Sequence, residues 1–240
     1  MADIPRPIAV IGIGCRFPGG ANSPEKLWEV LSEGRDTWSE VPEGRFKWES
    51  FHHPDPEAPG AHNHRGGHFL DEDIAAFDGR FFDIPPQECE ALDPQFRLQL
   101  EVTYEAIENA GLQLEHLGGS KTAVYVATFG QDYAGMQDRD LDTISKYYMT
   151  GRGLAMASNR ISYAFNLRGP SVTLDTGCSG SMVAIHQACQ SLRVGEAKIA
   201  LAGGVSLIIT PDLMVPMSSI GYIPLSQTPR RTSANQAKVC

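Results

Sequence analysis

Short apolar runs alternate with amphipathic stretches along the chain. The runs at residues 8–13, 122–128 and 171–175 are short and rich in branched side chains, which predicts buried strands. A fourth apolar stretch, residues 198–210, predicts one or two more. Strands that alternate with helices are typical of an α/β domain with a mainly parallel sheet covered by helices on both faces.

Apolar residues at helical spacing predict four helices. The first begins after Ser23, a favoured N-cap residue, and has a proline at its first position. The second and most regular begins at Asp93 and ends at Gly111. The other two are predicted over residues 154–165 and 178–193.

Between residues 36 and 86 the chain is dense in Pro, Gly, His and acidic residues, which predicts a long irregular excursion over the surface. Five of the seven histidines lie there. The pair His62 and His64 suggests a metal site, but its spacing matches no familiar ligand pattern. We therefore predict no metal.

Residues 221–240 contain three basic residues and no acid, and they are predicted to form a disordered tail.

Composition narrows the function classes. The 240 residues carry a formal charge of -9, which disfavours nucleic acid and anionic membranes as partners. No apolar stretch approaches the 18 or so residues that span a bilayer, and the N-terminus lacks a signal-peptide pattern, which predicts a cytoplasmic protein. The five cysteines are scattered and form no C-x-x-C pair, so they predict neither a disulfide framework nor a zinc site.

Cys178 stands at the most informative point in the sequence. It follows a strand and a tight glycine turn and comes at the start of a helix. Unpaired amides at a helix N-terminus stabilise a thiolate, and the Cys178 N–H would be placed to stabilise an oxyanion. Gly177 would allow the sharp turn, and Gly180 would leave room for a substrate carbonyl near the sulfur.

The same context also fits a structural cysteine packed at a strand-to-helix turn. The nearest histidine, His186, is eight residues away, or about 12 Å along a helix, which is too far for proton transfer. The helix predicted over residues 178–193 is expected to pack through Met182, Ile185, Cys189 and Leu192. The place of His186 beside Met182 and Cys189 indicates a core histidine. The local pattern alone therefore does not decide whether Cys178 is a reactive thiol or a structural cysteine.

Four motifs resemble the N-terminal half of a β-ketoacyl synthase. They are IAVIGIGCRFPGG, FDGRFFDIPPQECEALDPQFRLQLEVTYEAIENAG, SNRISYAFNLRGPSVTLDTGCSGS and LAGGVSLIITPDLMVPMSSIG. The four motifs, in this order, are most similar to those of the ketosynthase domain of a type I polyketide synthase of the fungal, highly reducing kind. The resemblance covers residues 6–221 and leaves residues 222–240 as a separate tail.

The resemblance implies a thiolase-type fold that pairs into a homodimer when complete. It also implies that Cys178 accepts an acyl chain from the phosphopantetheine arm of an acyl carrier protein, with no cofactor bound by the chain itself. A malonyl-type thioester then loses carbon dioxide, and its carbanion attacks the acyl-cysteine. Gly177 and Gly180 differ from the Ala and Ser that are commonest at these positions in the family, but both remain small.

The family's two histidines and lysine, which promote decarboxylation, come from a second half whose motifs are absent from this sequence. We therefore expect a truncated or misread gene product that accepts an acyl group at best slowly and does not condense. Two alternatives remain. One is a non-catalytic fragment that associates with a complete synthase, and the other, less favoured, is a thiolase-like enzyme acting on coenzyme A esters.

Overall fold

The structure is a computed structural model that describes residues 7–55 and 58–220. The helices are α1 (Pro24–Ser32), α2 (Pro86–Ala91), α3 (Pro94–Asn109), α4 (Leu114–Leu117), α5 (Asp132–Gln137), α6 (Tyr148–Arg152), α7 (Met156–Ala164), α8 (Gly180–Arg193) and α9 (Met214–Ser219). The strands are β1 (Ser39–Glu40), β2 (Gly66–Gly67), β3 (Ala123–Thr128), β4 (Ser171–Leu174) and β5 (Ala200–Val205). The predicted tail lies outside the described residues, so it stays a prediction.

The central sheet has three parallel strands in the order β4-β3-β5. All six residues of β3 are buried, as a near-continuous apolar run predicts for the middle strand of a covered sheet. Helices α3 and α7 pack on one face and α8 packs on the other. The predicted α/β class with a parallel sheet covered on both faces is confirmed.

N-cap residues and a terminal glycine predicted the boundaries of α1 and α3 correctly. Ser23 accepts a hydrogen bond from the Lys26 amide at the start of α1, and Asp93 accepts one from the Gln95 amide at the start of α3. Gly111 follows the end of α3 with φ +67°, a left-handed conformation that glycine adopts without steric cost. The fourth apolar stretch forms a single strand, β5, rather than two.

The predicted buried strand at residues 8–13 is wrong. Within the described residues this segment pairs with no strand, and Val10 and Ile11 are 79% and 56% exposed. It runs against α3 instead: the Ile13 amide donates to Asn109 Oδ1 at 3.0 Å. A Cβ on Gly14 would meet the Val102 carbonyl oxygen, so glycine permits this close approach to the helix. An apolar run alone does not tell whether its neighbour is a strand or a helix.

The irregular excursion between residues 36 and 86 is confirmed. Its only ladder among the described residues is the two-residue antiparallel pair of β1 and β2. In the part of the chain that the structure describes, no helix is both long enough and apolar enough to cross a bilayer.

Candidate active site

The turn that carries Cys178 is built from backbone geometry and one carboxylate. It follows the carboxyl end of β4, where Asp175 Oδ1 accepts a hydrogen bond from the Gly177 amide at 2.9 Å. Gly177 has φ +59°, so the sharp bend predicted at this position is present and requires glycine. Residues 177–179 form a single 3₁₀ turn that leads directly into α8.

Cys178 is exposed at the start of this 14-residue helix. Ser179, the N-cap residue, uses its hydroxyl to donate to the Thr176 carbonyl oxygen at 2.9 Å. The Ser179 side chain makes no cap hydrogen bond at the N-terminus of α8, where the Gly180 amide donates to the Gly177 carbonyl oxygen. The aligned peptide dipoles of the helix give this end a partial positive charge. The geometry therefore suits stabilisation of a thiolate or of an oxyanion at this point.

The first turn of α8 lies unusually close to the sheet. Gly180 is buried, and a Cβ at this position would come within 2.7 Å of Ala127 Cβ on β3. A Cβ on Gly204 of β5 would likewise collide with the Ser181 hydroxyl. The small size of Gly180 thus lets the helix pack on β3. The role predicted for Gly180 in substrate approach stays a prediction.

The packing face predicted for α8 is right at Leu192, which packs against the cluster that contains Ala184 and Ala188, and wrong at Met182 and Ile185. Met182 and Ile185 are 68% and 46% exposed, and the helix buries Gly180, Ala184, Ala188 and Ser191 instead. Because small side chains allow the helix backbone to approach the sheet, they displace the larger apolar residues from the contact. His186 is exposed as well, so the prediction of a core histidine is also wrong.

A network of small polar side chains fixes β4 against α7. Thr173 Oγ1 lies 2.9 Å from Ser158 Oγ and accepts a hydrogen bond from the Ser158 amide at 3.1 Å. Ser171 Oγ donates to Asn159 Oδ1 at 2.8 Å. The hydrophobic pattern did not predict this network.

Beside this network lies a cavity of about 210 Å³. It extends from α7 to the end of β4, where Asp175 and Leu174 line it together with Leu154 and Ser158. The cavity therefore adjoins the strand end from which the Cys178 turn begins.

The other described cysteines differ from Cys178 in exposure. Burial raises the pKa of the Cys15 and Cys89 thiols, which lowers their thiolate fraction at neutral pH. Cys89 lies in α2, and Cys189 is half-buried on α8. Among the described cysteines, only Cys178 is exposed. Cys240 lies outside the described residues.

The histidine-rich excursion does not form a recognisable metal centre. Among residues 7–55 and 58–220, no group of three or more His, Cys, Asp or Glu side chains is placed to hold a metal ion. His62 is 1% exposed, and neither of its ring nitrogens has a hydrogen-bond partner. Burial lowers the pKa of this imidazole.

This chain matches a known protein family. The family model described as the β-ketoacyl synthase N-terminal domain matches residues 5–238. This match continues past residue 221, the predicted end of the family-like region, and since no described residue lies beyond 220 that boundary stays a prediction.

The curated relatives are fungal polyketide synthases. The chain is 56% identical over 217 residues to the highly reducing polyketide synthase sdnO of Sordaria araneosa, covering 90% of this chain and 7% of the relative. It is 46% identical to the lovastatin diketide synthase lovF of Aspergillus terreus, covering 91% of this chain and 9% of that protein. The chain thus spans less than a tenth of these relatives.

Solved ketosynthase structures share the fold. The oxazolomycin ketosynthase domain OzmH KS7 of Streptomyces albus matches with a TM-score of 0.82 and 34% identity, over 90% of this chain and 38% of that structure. A ketosynthase from module 6 of the bacillaene synthase of Bacillus subtilis matches with a TM-score of 0.77 and 34% identity, over 89% of this chain and 34% of that structure.

Proposed function

Because the chain belongs to the β-ketoacyl synthase family, we propose that it is the ketosynthase part of a polyketide synthase and that Cys178 accepts the acyl chain. The observation that carries this proposal is the position of the thiol. Cys178 is exposed in the turn between the carboxyl end of β4 and the N-terminus of α8. Ligands of parallel α/β sheets characteristically bind at this carboxyl edge.

Acyl transfer at this position is a thioester exchange. The Cys178 thiolate attacks the carbonyl carbon of an acyl thioester and forms a new carbon–sulfur bond. The Cys178 N–H donates to the oxyanion of the tetrahedral intermediate. When the intermediate collapses, the bond to the carrier's thiol breaks, and that thiol leaves as a thiolate that takes up a proton. The acyl group remains on Sγ.

The donor we propose is an acyl carrier protein that presents the chain on its phosphopantetheine arm, so the arm is part of the substrate. Condensation with a malonyl-type thioester needs the family's two histidines and lysine, whose motifs this sequence lacks. We therefore propose acylation of Cys178 as the step that the residues of this chain support. His186 is not assigned to the reaction, because it lies two helical turns beyond the thiol.

Intact-protein mass spectrometry tests this proposal. The chain is incubated with an acyl thioester and, separately, with cerulenin, an epoxide that reacts with cysteine. We expect one added acyl group or one cerulenin in the wild type and none in Cys178→Ala, while Cys189→Ala labels like the wild type. Equal labelling of wild type and Cys178→Ala contradicts the proposal.

A second candidate function is association with a complete synthase chain. It is favoured by the exposure of Met182 and Ile185 on α8, next to the proposed nucleophile. This candidate predicts that the chain elutes with a longer synthase during size-exclusion chromatography and that Met182→Glu abolishes the co-elution. A chain that elutes alone in both cases contradicts it.

A further inference from the structure

Two loops leave the sheet beneath the first turn of α8. One follows β3, whose Ala127 contacts Gly180, and the other follows β5, whose Gly204 contacts Ser181. Since Cys178 immediately precedes this helical turn, both loops begin close to the proposed nucleophile.

Gln95, at the start of α3, joins these two loops. Its Nε2 donates to the Gly130 carbonyl oxygen at 3.5 Å, in the loop after β3. Its Oε1 accepts a hydrogen bond from the Leu207 amide at 3.2 Å, in the loop after β5. The same Nε2 lies 3.3 Å from Asp93 Oδ2, and this contact orients the side-chain amide. Gln95 is 2% exposed, so water does not compete for these bonds.

Asp132 joins the same loops at a second point. It follows the β3 loop at the first position of α5. One carboxylate oxygen, Oδ2, accepts two backbone hydrogen bonds from the β5 loop, from the Ile209 amide at 2.9 Å and from the Thr210 amide at 3.0 Å. Asp132 is 6% exposed.

The cost of losing this carboxylate is large, because it leaves two buried N–H groups without acceptors. A loop relieves this cost by moving toward water. The buried side chains of Gln95 and Asp132 therefore determine how the β5 loop lies relative to the β3 loop.

We propose that Asp132 and Gln95 are positioning residues for acyl transfer: they hold the two loops beside the Cys178 turn in the arrangement that admits the acyl thioester. This inference rests on the proposed function of Cys178. It predicts an effect on the reaction with a thioester, which must be oriented by its surroundings, and not on the reaction with a small alkylating reagent.

The test compares Asp132→Ala with Asp132→Asn in the full chain. Asparagine keeps a carbonyl oxygen that accepts both backbone hydrogen bonds, whereas alanine keeps none. Two rates are measured for Cys178 by mass spectrometry, acylation by hexanoyl-N-acetylcysteamine and alkylation by iodoacetamide. The exposed carboxylate Asp142, changed to alanine, serves as the matched control.

We expect Asp132→Ala to slow acylation by at least about tenfold, because small displacements of a reacting geometry have effects of this size. Alkylation stays at the wild-type rate, and both Asp132→Asn and Asp142→Ala acylate like the wild type. If Asp132→Ala does not fold, as judged by circular dichroism, Gln95→Met serves instead and is expected to lower acylation but not alkylation.

Three results contradict the inference. Acylation of folded Asp132→Ala at the wild-type rate overturns it. So does an equal fall in acylation and alkylation, since that reports general disruption of the turn. A deficit in Asp132→Asn as large as that in Asp132→Ala also overturns it. If the wild type is not acylated at Cys178, the proposed function itself fails, and the inference fails with it.

Discussion

The two faces of the central sheet are packed in different ways. On one face, large side chains such as Phe96, Leu100 and Ile107 of α3 form a core with Val124 and Val126 of β3. On the other face, α8 contributes alanines, Ala184 and Ala188, which pack against Ala123 and Tyr125 of β3. The first face is held by large apolar side chains, and the second by close approach of the helix backbone to the sheet.

This difference has a functional consequence. A helix packed through glycine and alanine has little freedom to shift, because each contact involves backbone or Cβ atoms rather than flexible side chains. The first turn of α8 is fixed in this way by Gly180 and Gly204, and Cys178 precedes it directly. We infer that the α3 face mainly supplies stability, whereas the α8 face places the thiol.

The largest effect is expected on the α3 face. Leu100 is fully buried in the large-side-chain core, so Leu100→Ala removes apolar contacts and leaves a cavity. We expect the free energy of unfolding to fall by about 2–5 kcal/mol, measured by urea denaturation. Leu31→Ala, at a residue that is 60% exposed, is the control and is expected to change it little. Equal effects of the two substitutions would show that the core has been misplaced.

Overpacking the α8 face gives the next effect. Gly180→Ala places a methyl group within 2.7 Å of Ala127 Cβ, and the helix must move to accommodate it. We expect a loss of about 1–3 kcal/mol in urea denaturation. We also expect slower acylation of Cys178, because the displaced turn carries the thiol. Gly203→Ala is the matched control, since a Cβ at that position meets no atom within 4 Å. A neutral Gly180→Ala would refute close packing at this turn.

The third prediction concerns the buried histidine His62, which lies outside the sheet, and the dependence of stability on pH. Burial lowers the pKa of His62, so the unfolded chain binds a proton at this imidazole at a higher pH than the folded chain does. Stability is therefore complete above the unfolded pKa of about 6.5 and falls as the pH drops through the lower folded pKa.

The charges of the neighbouring His52 and His64 also lower the pKa of His62, whereas a backbone interaction with His64 raises it, and burial is the largest of these effects. We expect His62→Gln to weaken the dependence of the urea midpoint on pH between about 7.5 and 5, whatever its effect at neutral pH. His186→Gln, at an exposed histidine, should leave that dependence unchanged. If the urea midpoint of His62→Gln depends on pH as strongly as that of the wild type, the claim that His62 is buried with a lowered pKa is contradicted.

The smallest effect is expected at the exposed apolar positions of α8. Met182 is 68% exposed, so Met182→Ala should change the free energy of unfolding by less than about 0.5 kcal/mol. A loss comparable to that of Leu100→Ala would restore the packing face predicted from the sequence and contradict the structure.

The sequence predicted the α3 face because its large apolar residues recur at helical spacing, as Phe96 and Leu100 do. On α8 the same rule selected Leu192 correctly, but it also selected Met182 and Ile185 and passed over Ala184 and Ala188. Alanine carries a weak hydrophobic signal, and close packing depends on the distance between elements, which periodicity does not contain. The failure at residues 8–13 has a similar origin, because the pattern does not reveal that α3 is the neighbour.

The position of Cys178 was predictable because its signals are local: a strand, a glycine with positive φ, and a helix start. The buried hydrogen bonds that Gln95 and Asp132 make to the β5 loop were not, since they join residues that are 77 to 112 positions apart. Only the fold brings such residues together.

The most direct test of the central claim is peptide mapping of the wild-type chain after brief exposure to an acyl thioester, with acyl occupancy determined separately for all five cysteines. We expect the label to be concentrated on Cys178, and we expect Cys15 and Cys89, whose thiols have raised pKa values, to remain unmodified. Label distributed over the cysteines without preference, or absent from Cys178, would contradict it.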